Sequence, residues 1–196
     1  MRVIAGEFRS RVLEAPAGMD TRPTSDRLRE TLFNVLAPRI KGVAFLDLYA
    51  GSGAVGIEAL SRGAAQAEFV ERADGALKAL RGNLAKLGLK AAIHPSGVAA
   101  YLRRAGGKRF DVVFLDPPYD AREEYEAVLG MLGGAASAPR SQNRDLGHPI
   151  LNEGAIIIAE HRRKEKLEDQ YGALQRTRLL EQGDAALSFF SLEAEG

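Results

Sequence analysis

From residue 43 onward the sequence alternates between short apolar runs and amphipathic stretches, and this alternation limits the possible folds. Consecutive strands separated by helices are joined by crossovers, so they lie parallel, with helices covering both faces of the sheet. We predict strands at Val43–Leu48, Ala67–Glu71, Ala91–His94, Phe110–Asp116 and Ala155–Glu160. We predict helices at Ala54–Arg62, Ala73–Leu87, Val98–Arg104, Arg122–Leu132 and 162–170. Two last strands, Leu174–Glu181 and Leu187–Leu192, predict an antiparallel hairpin turning at Gly183-Asp184. The fold class is therefore α/β with a mostly parallel sheet.

The first 41 residues follow a different pattern and carry a different charge. Residues 2–13 are β-prone and predict a small hairpin, and a helix capped by Thr24 or Ser25 runs to about Leu36. Residues 1–41 hold eight basic and five acidic side chains, a charge of +3 in a chain of net charge +1, which leaves −2 for the rest. We predict an amino-terminal appendage, 1–41, before a main domain, 42–196. A polyanionic partner suits this asymmetry, and a solvated surface is the plainer alternative.

Composition excludes several classes of function. The 196 residues include no cysteine, which rules out disulfides, thiolate metal sites and cysteine nucleophiles. No apolar run approaches the ~20 residues of a membrane span, and the first residues lack the apolar stretch of a signal peptide. The three histidines, His94, His148 and His161, lack the spacing of metal ligands. We expect a cytoplasmic protein with neither membrane nor metal.

A glycine-rich turn joins the first predicted strand to its helix. Gly51, Gly53 and Gly56 fit the dinucleotide-binding pattern G-x-G-x-x-G, and Glu71 ends the next strand. Asp47 disfavours a dinucleotide, because a carboxylate in the crevice would repel a pyrophosphate by roughly 4 kcal/mol at ~4 Å and an effective dielectric of 20. The same carboxylate would attract the sulfonium and ammonium of S-adenosylmethionine, and Glu71 would accept from its ribose hydroxyls.

A second motif, Asp116-Pro117-Pro118-Tyr119, follows the Phe110–Asp116 strand. Two prolines remove backbone donors, so the turn presents only acceptors, namely the Asp116 carboxylate and the Pro117 carbonyl. These acceptors suit the two hydrogens of an exocyclic amine on a planar ring, and Tyr119 suits stacking on that ring. Bonds from both N–H groups favour a pyramidal nitrogen and the positive charge that develops on it during methyl transfer.

The two motifs together resemble the amino-methyltransferases that use S-adenosylmethionine and have a seven-stranded Rossmann-like fold. The amino-terminal residues 1–11, the block Thr21–Asn34 and the loop Leu46–Arg62 look like those of the bacterial RsmD family. The resemblance implies transfer of methyl to a guanine N2 amine in small-subunit ribosomal RNA. It also implies as partner that RNA or the assembling small ribosomal subunit.

The resemblance also implies roles for individual residues. Asp47, Gly51 and Gly53 would hold the methionine end of the cofactor, and Glu71 the ribose. Further cofactor-binding candidates are Tyr49, Ser52, Arg72, Ser96, Gly97, Val98 and Asp116. Ser96 and Gly97 stand where such enzymes often carry Asp or Asn beside the adenine, so Ser96 or a backbone N–H group is the candidate there. Asp116, Pro117 and Tyr119 are the catalytic candidates. The RNA-binding candidates are Arg2, Arg9, Arg11, Arg22, Thr24, Arg27 and Tyr119.

Residues 133–150 lack periodicity and predict a mobile insertion.

Several alternatives for the function remain open from the sequence. The Asp-Pro-Pro-Tyr motif would equally suit adenine N6 or cytosine N4 in DNA, or a guanine in tRNA. A non-catalytic RNA-binding assembly factor is a rival function, disfavoured by the intact Asp47, Asp116 and Tyr119. A nicotinamide oxidoreductase is another, disfavoured by Asp47.

Overall fold

The computed structural model describes residues 1–16, 25–118, 122–134 and 149–192. The chain divides into two compact units, Met1–Gly97 and Val98–Gly196. The predicted insertion lies largely outside the described residues, as do Arg22, Thr24 and Tyr119. The predicted boundary between residues 41 and 42 stays a prediction.

The first unit contains three parallel strands and three helices. The strands are β1 (Ala44–Leu48), β2 (Gln66–Glu71) and β3 (Ala92–Pro95), in the order β3-β2-β1. The helices are α1 (Asp26–Leu36), α2 (Ala54–Ser61) and α3 (Asp74–Leu87). Asp47 of β1 pairs with Phe69 of β2, so the carboxyl ends of both strands lie at the same edge. This register puts the glycine turn after β1 beside Glu71 at the end of β2.

Helix α1 begins as the sequence predicts. The Ser25 hydroxyl oxygen accepts from the Leu28 N–H at 3.1 Å, so Ser25 rather than Thr24 is the N-cap. Leu28, Leu32 and Leu36 are buried along one face, in agreement with the predicted helical spacing.

The first residues form a looped hairpin closed by a single antiparallel bridge between Arg2 and Val12. The Val3 N–H donates to the Arg11 carbonyl at 2.9 Å, and the Leu13 N–H donates to the Met1 carbonyl at 3.0 Å. We call residues 1–16 the amino-terminal segment. It buries only two large apolar side chains, those of Val3 and Leu13, so polar contacts must contribute much of its attachment.

The second unit contains two helices and five strands within its described residues. The helices are α4 (Val98–Arg104) and α5 (Arg122–Leu132). The strands are β4 (Phe110–Leu115), β5 (Leu151–Arg162), β6 (Gln170–Tyr171), β7 (Leu174–Gln182) and β8 (Ala185–Leu192), in the order β4-β5-β8-β7-β6. The β4–β5 pair is parallel, and each later pair is antiparallel. The predicted α/β class, with parallel strands and a carboxyl-terminal antiparallel hairpin, is confirmed.

The predicted helix over 162–170 is wrong. Strand β5 continues to Arg162, which pairs with Ala185 of β8, and the chain then turns. The Arg163 N–H donates to the Asp184 carbonyl at 2.8 Å, and the Tyr171 hydroxyl accepts from the Glu168 N–H at 3.0 Å. Leu167 is the one apolar residue among 162–170, so this stretch has no apolar face that could stabilise a helix by packing.

Strand β5 is also longer than the predicted Ala155–Glu160. Its register against β4 shifts between Phe110 and Val112, which pair with Leu151 and Ile156. Gly154, at φ 72°, lies within this irregularity and supplies a backbone conformation that other residues rarely adopt. The predicted strand began after Gly154, because the pairing of Leu151–Gly154 depends on the distant strand β4 and leaves no local apolar pattern.

No helix in the described parts of the chain is long and apolar enough to cross a membrane.

Two helical glycines give a matched test of packing around the glycine turn. A Cβ on Gly56 of α2 would lie 2.4 Å from Cε1 of Phe69, whereas a Cβ on Gly82 of α3 would meet nothing within 4 Å. We expect Gly56→Ala to lower the free energy of unfolding by about 1–3 kcal/mol through overpacking. Gly82→Ala should raise it by about 0.5–1 kcal/mol through helix propensity. Urea denaturation measures both, and equal effects of the two substitutions would contradict the packing described here.

Candidate functional site

The turn between β1 and α2 has an unusual backbone. Tyr49, Gly51 and Gly53 all have positive φ, at 62°, 56° and 80°. A tyrosine in this region is strained, and such strain persists where the surrounding structure enforces it, often at functional sites. The backbone of this turn is therefore held in one defined conformation between β1 and α2.

Asp47, near the end of β1, is buried and only 1% exposed. Its Oδ2 accepts from the Gly56 N–H at 2.9 Å, which ties β1 to the first turn of α2. The sequence argument has this carboxylate facing the crevice, whereas the structure buries it against the helix. Burial raises the pKa of Asp47 from 3.8 to about 7; the Gly56 bond opposes this rise, and the negative charge of Glu71 adds to it.

Glu71 is half-buried at the end of β2 and is held by three backbone donors. Its Oε2 accepts from the Gly51 N–H at 2.8 Å, and its Oε1 accepts from the Arg72 and Ala73 N–H groups at 2.7 and 2.8 Å. A carboxylate offers about four acceptor positions, so these bonds fill three of them. The carboxylate is thereby oriented, and it links β2 directly to the glycine turn.

The glycines of this region fall into two groups. A Cβ on Gly53 would lie 2.3 Å from Cδ1 of Leu80, so Gly53 is needed for packing as well as for its positive φ. A Cβ on Gly51 or on Gly97 would meet no protein atom within 4 Å. Open space beside Gly51, next to the oriented Glu71 carboxylate, fits a ligand with hydroxyl groups. These residues accordingly fit S-adenosylmethionine, whose ribose supplies such groups.

The other sequence-predicted cofactor residues differ in exposure. Ser52 is buried, Tyr49 is half-buried and the Arg72 side chain is exposed. The Ser96 N–H donates to the Glu71 carbonyl at 3.0 Å. Because this N–H is already bonded, the hydroxyl is the group of Ser96 that remains a candidate beside an adenine. Val98 is buried at the start of α4 in the second unit.

The acceptor-only turn begins directly after β4 in the second unit. Asp116 is half-buried, Pro117 is buried and Pro118 is exposed. This is the carboxyl end of a parallel strand, where open α/β sheets bind their ligands. Tyr119, the predicted stacking residue, lies outside the described residues.

The predicted RNA-binding residues that the structure describes are all exposed. Arg2, Arg9 and Arg11 lie on the amino-terminal segment, and Arg27 lies on α1. Arg22 and Thr24 lie outside the described residues. Exposure leaves these four guanidinium groups available to a polyanion.

The sequence analysis missed four buried polar residues that hold the amino-terminal segment in place. Two of them lie on α2, one on α3 and one on α1. The Glu58 carboxylate accepts from the Ile4 and Ala5 N–H groups at 2.7 and 3.0 Å, and Ser61 Oγ accepts from the Phe8 N–H at 3.0 Å. Asn83 bonds both backbone groups of Glu14. Arg29 is wholly buried, and its Nη2 donates to the Arg2 carbonyl at 2.6 Å and to Asp26 at 2.8 Å. A lone polar residue in a helix pattern gives no local signal of such distant partners.

No group of three or more histidine, cysteine or acidic residues that could hold a metal ion occurs within the described ranges.

The fold is that of the solved methyltransferase structures that match this chain. The chain belongs to the family described as "conserved hypothetical protein 95", whose model matches residues 1–191.

Individual relatives agree with this assignment. The chain is 37% identical over 182 residues to the Bacillus subtilis protein named "putative rRNA methyltransferase YlbH", covering 91% of each chain. It is 44% identical over 120 residues to the Escherichia coli protein named "ribosomal RNA small subunit methyltransferase D", covering 61% of this chain and 60% of the other. A solved Escherichia coli structure, "putative methyltransferase yhhF", matches with a TM-score of 0.82 and 32% identity, covering 100% of this chain and 99% of that one.

The raised pKa of Asp47 predicts a specific pH dependence of stability. In the native state Asp47 binds its proton more tightly than in the unfolded state, so its contribution to stability is fully present below about pH 4. That contribution is lost as the pH rises through about 7. Asp47→Asn keeps an acceptor for the Gly56 N–H but cannot titrate. We therefore expect the stability difference between the variant and the wild type to move in favour of the variant from pH 4 to pH 8. Urea denaturation across this range measures it, and a constant difference would show that Asp47 has an ordinary pKa.

Proposed function

We propose that this protein transfers a methyl group from S-adenosylmethionine to the exocyclic N2 amine of a guanine in small-subunit ribosomal RNA. The acceptor-only turn at Asp116-Pro117, at the carboxyl end of β4, is the observation that carries the proposal, because it suits an amine bearing two hydrogens. The amino-terminal block Thr21–Asn34 and the names of the relatives support ribosomal RNA as the substrate.

The first unit would hold the methyl donor. Glu71 would accept from a ribose hydroxyl at its remaining acceptor position, and Gly51 would let that ligand approach the backbone. Burial raises the pKa of Asp47 to about 7, and a cationic methionine end would in turn favour the charged form of this carboxylate. When bound, S-adenosylmethionine supplies an electrophilic methyl group on a positively charged sulfur.

The second unit would hold the amine. The Asp116 carboxylate and the Pro117 carbonyl would each accept one N–H of the guanine amine. These bonds localise the nitrogen lone pair and strengthen as positive charge develops on the nitrogen, so they stabilise the transition state more than the ground state. Asp116 or water would take the proton after the new carbon–nitrogen bond forms. The target base would have to leave its stack, and Tyr119 would stack on it.

Methyl-labelled S-adenosylmethionine tests the proposal directly. The protein would be offered under-methylated small ribosomal subunits, protein-free ribosomal RNA, tRNA and duplex DNA, and the labelled nucleoside would be identified after digestion. We expect label in N2-methylguanosine from ribosomal RNA, whether naked or in particles. Label in tRNA or DNA would overturn the substrate and keep the chemistry, whereas cofactor binding without any transfer would support an assembly factor.

Two aspartates near opposite ends of strand β4 provide a matched pair for testing the catalytic role. Asp116 follows the carboxyl end of β4, whereas Asp111 lies at its other end and accepts from Asn152 Nδ2 at 2.7 Å. We expect Asp116→Ala to lower kcat by about 100-fold or more, the usual cost of losing one group that stabilises transition-state charge. Asp111→Ala should change kcat by no more than about twofold. Equal losses in single-turnover assays would argue against a catalytic Asp116.

The exposed arginines of the amino-terminal segment give a separate prediction about RNA binding. Arg9→Ala or Arg11→Ala should weaken binding and reduce the slope of log K against log salt concentration by about one unit, as expected for one lost phosphate contact. Lys164→Ala, at an exposed turn of the second unit, is the control and should leave the slope unchanged. Titrations of fluorescent ribosomal RNA at several salt concentrations measure it, and unaltered slopes in both arginine variants would remove these residues from the interface.

A further inference from the structure

Asn83 of helix α3 is fully buried, and both its Oδ1 and its Nδ2 are hydrogen-bonded. Its Oδ1 accepts from the Glu14 N–H at 2.8 Å, and its Nδ2 donates to the Glu14 carbonyl at 3.0 Å. The same Nδ2 donates to the Ser52 carbonyl at 2.9 Å. The reversed amide orientation would set a donor against the Glu14 N–H and an oxygen against two carbonyls, so the three bonds fix the orientation.

These bonds join two parts of the first unit that are far apart in sequence. Ser52 lies between Gly51 and Gly53 in the glycine turn, and Glu14 lies 38 positions earlier along the chain, in the amino-terminal segment. A second contact joins the same two parts, because the Ser52 hydroxyl donates to Met1 Sδ at 3.4 Å. The turn that would hold the methyl donor is thus bonded to the segment that carries Arg9 and Arg11.

The attachment of the segment as a whole does not depend on Asn83. Glu58 holds the Ile4 and Ala5 N–H groups, and Ser61 holds the Phe8 N–H. Removal of the Asn83 amide therefore frees Ser52 and Glu14 from each other while residues 4–8 stay anchored to α2. This separation makes the function of the Asn83 amide testable.

We propose that Asn83 is a positioning residue that couples cofactor binding at the glycine turn to the order of the amino-terminal segment, and through it to RNA binding. The inference rests on the proposed function. A ligand that fixes the Ser52 backbone would also stabilise Glu14 through the shared amide. Coupling between two binding sites is reciprocal, so bound RNA would tighten cofactor binding by the same factor.

The test uses S-adenosylhomocysteine as the ligand and compares Asn83→Ala with a matched control. Lys86→Ala is that control, because Lys86 Nζ donates to the Val12 carbonyl at 3.1 Å and so joins α3 to the same segment without contacting Ser52. Calorimetry would measure binding, and hydrogen exchange would measure protection of residues 1–16 with and without the ligand. Exchange in the wild type tests the proposal even if Asn83→Ala does not fold.

We expect the ligand to slow exchange at Glu14 in the wild type and in Lys86→Ala but not in Asn83→Ala. We expect Asn83→Ala to weaken ligand binding about tenfold, which corresponds to one lost buried hydrogen bond. The KM for S-adenosylmethionine should rise with kcat changed less than about twofold.

Binding without protection of residues 1–16 in the wild type would overturn this inference and leave the proposed function intact. Unchanged affinity and protection in Asn83→Ala would overturn it as well. A wild-type protein that bound no S-adenosylhomocysteine would overturn both, and methylation of DNA or tRNA would overturn only the proposed substrate.

Discussion

The hydrogen bond from the Gly56 N–H to the buried Asp47 carboxylate is the constraint on which the first unit depends. It fixes the end of β1 against the start of α2, and a Cβ on Gly56 would lie 3.1 Å from the same Asp47 oxygen. Phe69 fills the remaining space beside Gly56, so strand, helix and neighbouring strand meet at one point. Burial at this position raises the pKa of Asp47. The energetic cost of burying this carboxylate is retained because its bond to the Gly56 N–H defines the glycine turn.

Glu58 has the corresponding role for the amino-terminal segment. Its buried carboxylate bonds two backbone N–H groups and the Arg62 Nε at 2.7 Å, and it lies 3.9 Å from the Arg29 Nε. A buried charge is tolerated when it is paired and fully hydrogen-bonded. The segment buries only two large apolar side chains, so it stays ordered by attachment to α2 and α3 rather than by a core of its own.

Local patterns were enough to predict most of the fold, because strands covered on both faces give short apolar runs, as in β1 and β4, and helices buried on one face give amphipathic stretches. The error over 162–170 arose where pairing with β8 continues β5 to Arg162, after which the chain turns. Asp47, Gly51 and Glu71 stood out because a glycine turn after a strand, with an acid at the end of the next strand, is a local pattern of nucleotide-binding folds. Asn83 and Glu58 did not, since the residues of the amino-terminal segment that they bond lie more than 50 positions away along the chain.

The chemistry of the two motifs does not by itself distinguish RNA from other substrates, so substrate choice must depend on other residues. The basic residues of positions 1–41 are the candidates, and the structure divides them. Arg27 is exposed on α1, whereas Arg29, two positions later, is wholly buried and bonds the Arg2 carbonyl and Asp26. Arg29 thus contributes to the local charge count without being available to a phosphate. Its bond to the Arg2 carbonyl instead joins α1 to the amino-terminal segment, so a charge count alone does not identify the arginines that are exposed to a polyanion.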